Sequence, residues 1–396
     1  MSEFQGVDFY EMDELLSEEQ RLVRDTVRQF VSDRCLPTIE QHQADGTFPI
    51  ELIPMVGEMG LLGANLAGYG CAGLDNTSYG LIMQELERGD SGLRSFVSVQ
   101  GALCMYPIHT FGSEEQKKQW LPGMAKGELI SCFGLTESDA GSDPGAMRTR
   151  AVLDGDHWVL NGGKMWITNG NMADLAIVWA KVEEGMPASR PESSIRGFIV
   201  PTDSPGFTAH AVKGKYSLRA SDTAELVMED CRIPTTAILP GTGGLKSPLM
   251  CLNQARFGIA WGGIGAAIAC FDEALRYAGN RMTFGRPIAA TQLIQELLAD
   301  MATEITKAQT LCWRLGLLKD AGKVTPAQIS MAKRNNVAMA LNTARRCREI
   351  LGGNGILDEY QAFRHMVNLE SVYTYEGTHQ IHTLIIGQAL TGEAAF

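Results

Sequence analysis

No stretch of this sequence comes near the roughly 18 consecutive apolar residues that a bilayer-crossing helix needs, so no membrane span is expected. It has no CxxC pair. The nine cysteines, Cys35, Cys71, Cys104, Cys132, Cys231, Cys251, Cys270, Cys312 and Cys347, stand singly and sum to an odd number. That argues against a disulfide framework and for reduced, buried thiols in a cytoplasm-like compartment. Basic clusters are missing too: 34 basic against 46 acidic residues leave a net charge of −12. Such a chain repels phosphate backbones at long range, so no nucleic-acid partner is expected. The stretch from Met1 to Glu19 is acidic rather than basic and apolar, and Glu393 to Phe396 spell no peroxisomal address, so the expected location is cytoplasmic. What remains is a globular composition, 45% apolar and 20% charged over 396 residues, with length for several domains and a large core.

The grammar of the chain changes twice. Ser17 with Gln20, and Ser113 with Gln116, are helix-start signals. The first predicts a helix ending at Pro37 and the second a helix ending at Pro122. Helical spacing also runs through Tyr79 to Glu87 and Gly92 to Phe111. From Ile130 short β-branched and aromatic runs follow, at Trp158 to Leu160, Ala176 to Ala180, Phe198 to Pro201 and Glu225 to Met228. Asp154-Gly155 and Asn161-Gly162 predict hairpin turns, and the polar tract Glu183 to Ser194 a mobile surface loop. Helical periodicity returns over Leu252 to Arg281, Leu293 to Lys319, Pro326 to Leu351 and His379 to Leu390. The expected fold class is therefore α+β: an N-terminal helical domain over 1–129, a central β-sheet domain over 130–245 and a C-terminal helical bundle over 246–396.

Three local patterns carry no chemistry on this reading. Gly263-Ile264-Gly265 lies inside helical periodicity, where small residues mark close helix packing rather than a dinucleotide loop. Gly89-Asp90-Ser91-Gly92 echoes a serine nucleophile loop without matching His and Asp partners. His379 and His382 can share a helix face, but no further ligands stand at useful spacing, so no metal is expected. A stronger constellation is Phe133-Gly134-Leu135-Thr136-Glu137-Ser138-Asp139-Ala140-Gly141-Ser142-Asp143-Pro144, which sets hydroxyls and glycines on a loop just after a strand, where they can meet phosphates or ring oxygens.

Joined to Asn161-Gly162-Gly163-Lys164-Met165-Trp166-Ile167-Thr168-Asn169, Arg281-Met282-Thr283-Phe284-Gly285-Arg286-Pro287, Leu351-Gly352-Gly353-Asn354-Gly355 and Tyr375-Glu376-Gly377-Thr378, that loop resembles the acyl-CoA dehydrogenase family, in the same order and across nearly the whole chain. The resemblance implies three domains, a homotetramer, noncovalently bound FAD, an acyl-CoA substrate and an electron-transfer flavoprotein as electron acceptor. It matches Glu376 to the base that removes the α-proton, with Tyr375 and Gly377 beside it at the substrate. Phe133, Leu135, Thr136, Gly141, Ser142, Trp166, Ile167 and Thr168 match positions along the flavin. Arg281, Phe284, Gln292, Leu351, Gly352, Gly353, Thr378 and Gln380 match positions toward its pyrophosphate and adenine end. Arg256, Asn253 and Ser142 match a coenzyme A contact.

Leu93-Arg94-Ser95 and Lys215-Tyr216-Ser217-Leu218-Arg219 resemble the branch of the family that oxidises and decarboxylates glutaryl-CoA. There Arg94, with Ser95 and Ser98, would meet the distal carboxylate of the substrate, and Glu87 would pair with Arg94 in its absence. An arginine facing a closed acyl pocket is left unpaired by a plain alkyl chain, which costs several kcal/mol. The alternatives within the family are another short-chain or carrier-bound acyl thioester, or oxygen as electron acceptor. A DNA-associated role, found among relatives of this fold, needs a basic surface that a −12 chain does not offer.

Overall fold

The computed structural model describes residues 7–182 and 194–395. Of the polar tract Glu183 to Ser194, all but Ser194 falls outside the described residues.

The N-terminal helices are α1 Glu18–Phe30, α2 Leu36–Asp45, α3 Ile53–Glu58, α4 Asn76–Gly89, α5 Ser91–Ser98, α6 Tyr106–Phe111 and α7 Glu114–Ala125. Both predicted helix starts form reciprocal capping boxes, Ser17 with Gln20 and Ser113 with Gln116. The predicted ends shift. Pro37 opens the first turn of α2, after a π-helical turn over Val31–Cys35, because a proline needs no N–H partner there. Pro122 lies inside α7, which continues to Ala125; burial of Leu121 and Met124 outweighs the one hydrogen bond that the proline forfeits.

A seven-stranded mixed sheet follows: β1 Ser131–Gly134, β2 Arg150–Asp154, β3 His157–Thr168, β4 Leu175–Val182, β5 Ile195–Pro201, β6 Phe207–Ala211 and β7 Thr223–Pro234. The main path runs β1-β4-β2-β3-β7-β6, and β5 pairs with β4. The predicted turn at Asp154-Gly155 is a two-residue hairpin closing Asp154 against His157. Asn161-Gly162 is no turn. It sits within β3 at a register shift against β7, where Gly162 takes φ 149° and a β-carbon would meet Thr149 Oγ1 at 2.5 Å.

The C-terminal domain holds α8 Lys246–Asn280, a small hairpin of β8 Met282–Thr283 and β9 Arg286–Pro287, then α9 Gln292–Asp320, α10 Pro326–Ile350, α11 Ala362–Thr374 and α12 His379–Thr391. By length and composition α8 could cross a membrane, yet 83% of its most apolar window is buried inside the protein. It is the central core helix. Gly263 and Gly265 serve close packing as expected: a β-carbon on Gly265 would stand 1.8 Å from the Gln84 carbonyl oxygen of α4.

Asp90, on the motif that echoed a nucleophile loop, joins all three domains. One carboxylate oxygen caps α5 at Gly92 N (2.6 Å), and the other meets Arg364 Nη1 (2.8 Å) and Asn368 Nδ2 (3.0 Å) of α11. Asn368 Oδ1 in turn accepts from Leu218 N of the sheet domain at 2.7 Å. Removing one partner of a buried ion pair costs about 3–5 kcal/mol. Asp90→Ala should therefore lower the chemical-denaturation midpoint markedly; an unchanged midpoint would contradict the role given to this carboxylate.

Candidate active site

The segment joining α11 to α12 is the centre of the site. Glu376 adopts φ 50° and Gly377 φ 90° before Thr378 caps α12 by accepting from Ile381 N at 3.1 Å. A left-handed glutamate costs about 1–3 kcal/mol and persists only where its surroundings impose it. Two buried cations do so through the backbone. Arg256 Nε of α8 donates to the Glu376 carbonyl at 2.8 Å. Lys333 Nζ of α10 donates to the carbonyls of Tyr375 and Gly377, the latter at 2.7 Å, and reaches that of Glu376 at 3.5 Å. A β-carbon at position 377 would lie 2.9 Å from His382 Nε2 and 3.2 Å from Arg256 Nη2, so only glycine fits.

The carboxyl of Glu376 has one oxygen, Oε2, sealed from solvent and without a hydrogen-bond partner among the described residues. Burial raises its pKa above the ordinary 4.5, against the opposing pull of Lys333, Arg94 and Arg256. A buried carboxyl with an unspent oxygen is a proton acceptor waiting for a partner.

Arg94 lies inside the protein beside it, only 1% exposed. Its Nε donates to Glu87 Oε2 and its Nη2 to the Tyr375 hydroxyl, while Ser91 Oγ donates to Glu87 Oε1 at 2.5 Å. Ser95 Oγ stands 3.4 Å from the same tyrosine oxygen. Ser98 Oγ and Tyr79 Oη are both buried, and neither makes a hydrogen bond of acceptable geometry among the described residues. Unsatisfied buried hydroxyls near a buried guanidinium mark a place where a polar group of a ligand can be received.

On the sheet side, Phe133 and Leu135 are buried and Thr136 is half-buried, its carbonyl accepting from Met165 N at 2.8 Å. Glu137 anchors the loop that follows. It accepts from Arg148 N (2.6 Å), Thr149 N (2.9 Å), Thr149 Oγ1 (2.6 Å) and Lys164 Nζ (2.9 Å). Lys164 is itself buried, and desolvation lowers its pKa to about 8. Gly141 and Ser142 stay exposed on the loop. The register shift between Lys164 and Ile167 turns Trp166 out at φ 63°, leaving the indole 60% exposed while Ile167 is buried and Thr168 half-buried.

Other candidates lie apart from this cluster. Arg281, Phe284, Gln292, Gly352, Gly353 and Gln380 are on the surface, and Leu351 is buried beneath the glycines. Phe284 tips the β8–β9 hairpin at φ 51°, almost wholly exposed. Asn253 Oδ1 accepts from Arg256 Nη1 at 3.5 Å, but no hydrogen bond joins either residue to Ser142 among the described residues.

Lys333 was not among the residues singled out in the sequence. The signal was present: it stands one helical turn from Ile329 and from Val337, on the apolar face of α10, where a lysine needs a reason. Glu137 and Lys164 lay inside quoted motifs, but their mutual pairing could not be read from position.

Comparison with known proteins agrees with this layout. The chain matches the N-terminal, middle and C-terminal domains of acyl-CoA dehydrogenase over residues 17–128, 132–231 and 242–391. It belongs to the acyl-CoA dehydrogenase family, oxidoreductases acting on CH–CH bonds. Among solved structures it is similar to a glutaryl-CoA dehydrogenase from Mycobacterium smegmatis, 56% identical with a TM-score of 0.94 over 98% of each chain. A glutaryl-CoA dehydrogenase from the same organism, in complex with FADH2, is 52% identical with a TM-score of 0.95, covering 98% of this chain and 99% of that one. The short-chain specific acyl-CoA dehydrogenase of Rattus norvegicus mitochondria is 38% identical, over 94% of this chain and 90% of its own length.

Glu137 is held below its ordinary pKa although burial opposes this, because Lys164, Thr149 and Arg148 N favour the anion. Its contribution to stability is complete above pH 4.5 and is lost as pH falls through the lower folded-state value. Glu137→Gln should therefore lower the melting temperature at pH 7, and the gap from the wild type should narrow under acid. A gap that stays constant into acid would contradict the assignment.

Proposed function

We propose that the chain is an FAD-dependent dehydrogenase that oxidises glutaryl-CoA and releases its γ-carboxylate as carbon dioxide, yielding crotonyl-CoA and passing electrons to an electron-transfer flavoprotein. The observation that carries the choice of substrate is the burial of Arg94 beside Tyr375 and Glu376. Its fork already spends Nε on Glu87 and Nη2 on a neutral tyrosine, so a dicarboxylyl chain would bring a second anion to a guanidinium whose Nη1 makes no hydrogen bond among the described residues. The similarity to glutaryl-CoA dehydrogenases of Mycobacterium smegmatis supports the same choice.

The residues fit FAD. An exposed indole at a bulge of β3 and an exposed ring at the β8–β9 tip suit a flat cofactor, while Gly352 and Gly353 have open space where a side chain would stand. Phe133, Leu135, Thr136, Gly141, Ser142, Trp166, Ile167 and Thr168 would hold the ring side. Arg281, Phe284, Gln292, Leu351, Gly352, Gly353, Thr378 and Gln380 would hold the pyrophosphate and adenine side, with contributions across a homotetramer. When bound, FAD supplies the two-electron acceptor for the hydride leaving the β-carbon.

Glu376 removes the α-proton onto its unspent oxygen. The Gly377 N–H would stabilise the charge that builds on the thioester carbonyl. After carbon dioxide leaves, the dienolate takes its proton back from Glu376. Arg256 holds the Glu376 carbonyl through Nε, and its other end, with Asn253 and Ser142, would meet coenzyme A. A second reading, a monocarboxylyl short-chain thioester such as butyryl-CoA, is favoured by the similarity to the rat short-chain enzyme.

Anaerobic mixing of the holoenzyme with each thioester separates the two: glutaryl-CoA should bleach the flavin and release carbon dioxide, and bleaching by butyryl-CoA alone would overturn the proposal. Arg94→Met should cut glutaryl-CoA activity at least tenfold more than butyryl-CoA activity, whereas equal losses would count against carboxylate pairing. Because the base acts ionised, the bleaching rate should rise with pH through a midpoint above 4.5. A flat profile across that range would contradict the raised carboxyl.

A further inference from the structure

Lys333 is a buried ammonium on α10 that no step of the reaction above employs. The residue is only 1% exposed, and its nitrogen faces three consecutive main-chain carbonyls, those of Tyr375, Glu376 and Gly377. An ammonium has three hydrogens and a neutral amine two, so convergence of three acceptors on one nitrogen selects the charged form. From the geometry we infer that Lys333 is the positioning residue of the reaction: it locks Glu376 in its left-handed conformation and, held charged by the three carbonyls, favours the ionised form of the base. This rests on the reading of Glu376 as the base.

Lys333 plays two parts. The first is mechanical. Glu376 at φ 50° and Gly377 at φ 90° form a tight reversal between two helices, and such a turn relaxes unless its carbonyls are held. Arg256 grips one carbonyl from α8, and Lys333 gathers all three from α10. The same helix sends Ser330, one turn before Lys333, to His382 Nδ1 at 3.0 Å, and His382 presses its other nitrogen toward Gly377. The face of α10 is thus shaped to the loop from both sides.

The second part is electrostatic. The groups acting on Glu376 are Lys333 from α10, Arg256 from α8 and Arg94 from α5, with Tyr79 from α4, Tyr375 beside it and His382 from α12. Burial holds His382 neutral, with a pKa near 3, so it adds no charge at working pH. Glu87 is committed to Arg94. Arg94 is the cation the substrate's own carboxylate would engage, which weakens its pull on Glu376 in the complex. Lys333 has no carboxylate partner within ion-pair distance among the described residues, so its field on Glu376 is not spent elsewhere. Burial pushes its own pKa down, an effect that the neighbouring Glu376 carboxylate opposes.

The test compares Lys333→Met and Lys333→Arg holoenzymes with the wild type in anaerobic stopped-flow bleaching, using whichever of glutaryl-CoA and butyryl-CoA reduces the wild type faster. Lys333→Met should lower the limiting rate at least tenfold and move the pH midpoint for bleaching upward by about one unit, since a lost cation disfavours the ionised base. The dissociation constant for substrate should change less than threefold. Lys333→Arg keeps the charge, but its planar fork cannot serve three converging carbonyls. It should lower the limiting rate and leave the midpoint in place, and it carries the test alone if Lys333→Met fails to fold. An unmoved midpoint in folded Lys333→Met, or a wild-type limiting rate in Lys333→Arg, overturns the inference. Glu376→Gln is run alongside: if it still bleaches at the wild-type rate, the assignment of the base has failed rather than that of Lys333.

Discussion

Burying two cations against the main chain of one short loop is the constraint on which the rest of the site depends. Arg256 and Lys333 spend their donors on carbonyls, not on the Glu376 carboxylate. That choice matters. A carboxylate in a tight ion pair is a poor base because the pairing stabilises the anion, whereas one that feels cations at a remove stays buried, ionisable and free to accept a proton. The helices α8 and α10, the most buried of the bundle, are therefore both the core of the protein and the mount of its chemistry.

A second constraint brings the helix that carries Arg94 to that mount. Asp90 caps α5 and receives Arg364 and Asn368 from α11, so the helix carrying Arg94 and the helix leading into Tyr375 share one anchor. Asn368 extends the anchor to the sheet domain through Leu218. The anchor thus ties all three domains to the helices that carry Arg94 and lead into Tyr375. In the sheet, Glu137 and Lys164 do a similar job, tying the loop after β1 to β3 next to the exposed Trp166.

The three-part layout was legible because its signals are local: capping boxes at Ser17 and Ser113, helical periodicity in α8 to α10, and the Asp154-Gly155 hairpin. Expectations failed where tertiary packing overrode local preference. Pro122 sits within a helix because Leu121 and Met124 are buried, and Asn161-Gly162 forms a bulge because Thr149 occupies the space a side chain would need. The helix α11, which carries both Arg364 and Asn368, lies outside the predicted helical runs. Within the site, Glu376 and Arg94 stood out through motif resemblance. Lys333 did not, because its function is exercised through backbone groups of a loop more than 40 residues away, and no side-chain pattern encodes such a contact.

The central claim is that Glu376 takes the α-proton of a bound thioester, and hydrogen exchange at that carbon tests it most directly. With the holoenzyme in deuterium oxide and an acyl-CoA that lacks an oxidisable β C–H bond, the wild type should exchange the α-hydrogen for solvent deuterium. Glu376→Gln should do so at least a hundredfold more slowly while still binding the thioester. Equal exchange by the two proteins would contradict the account.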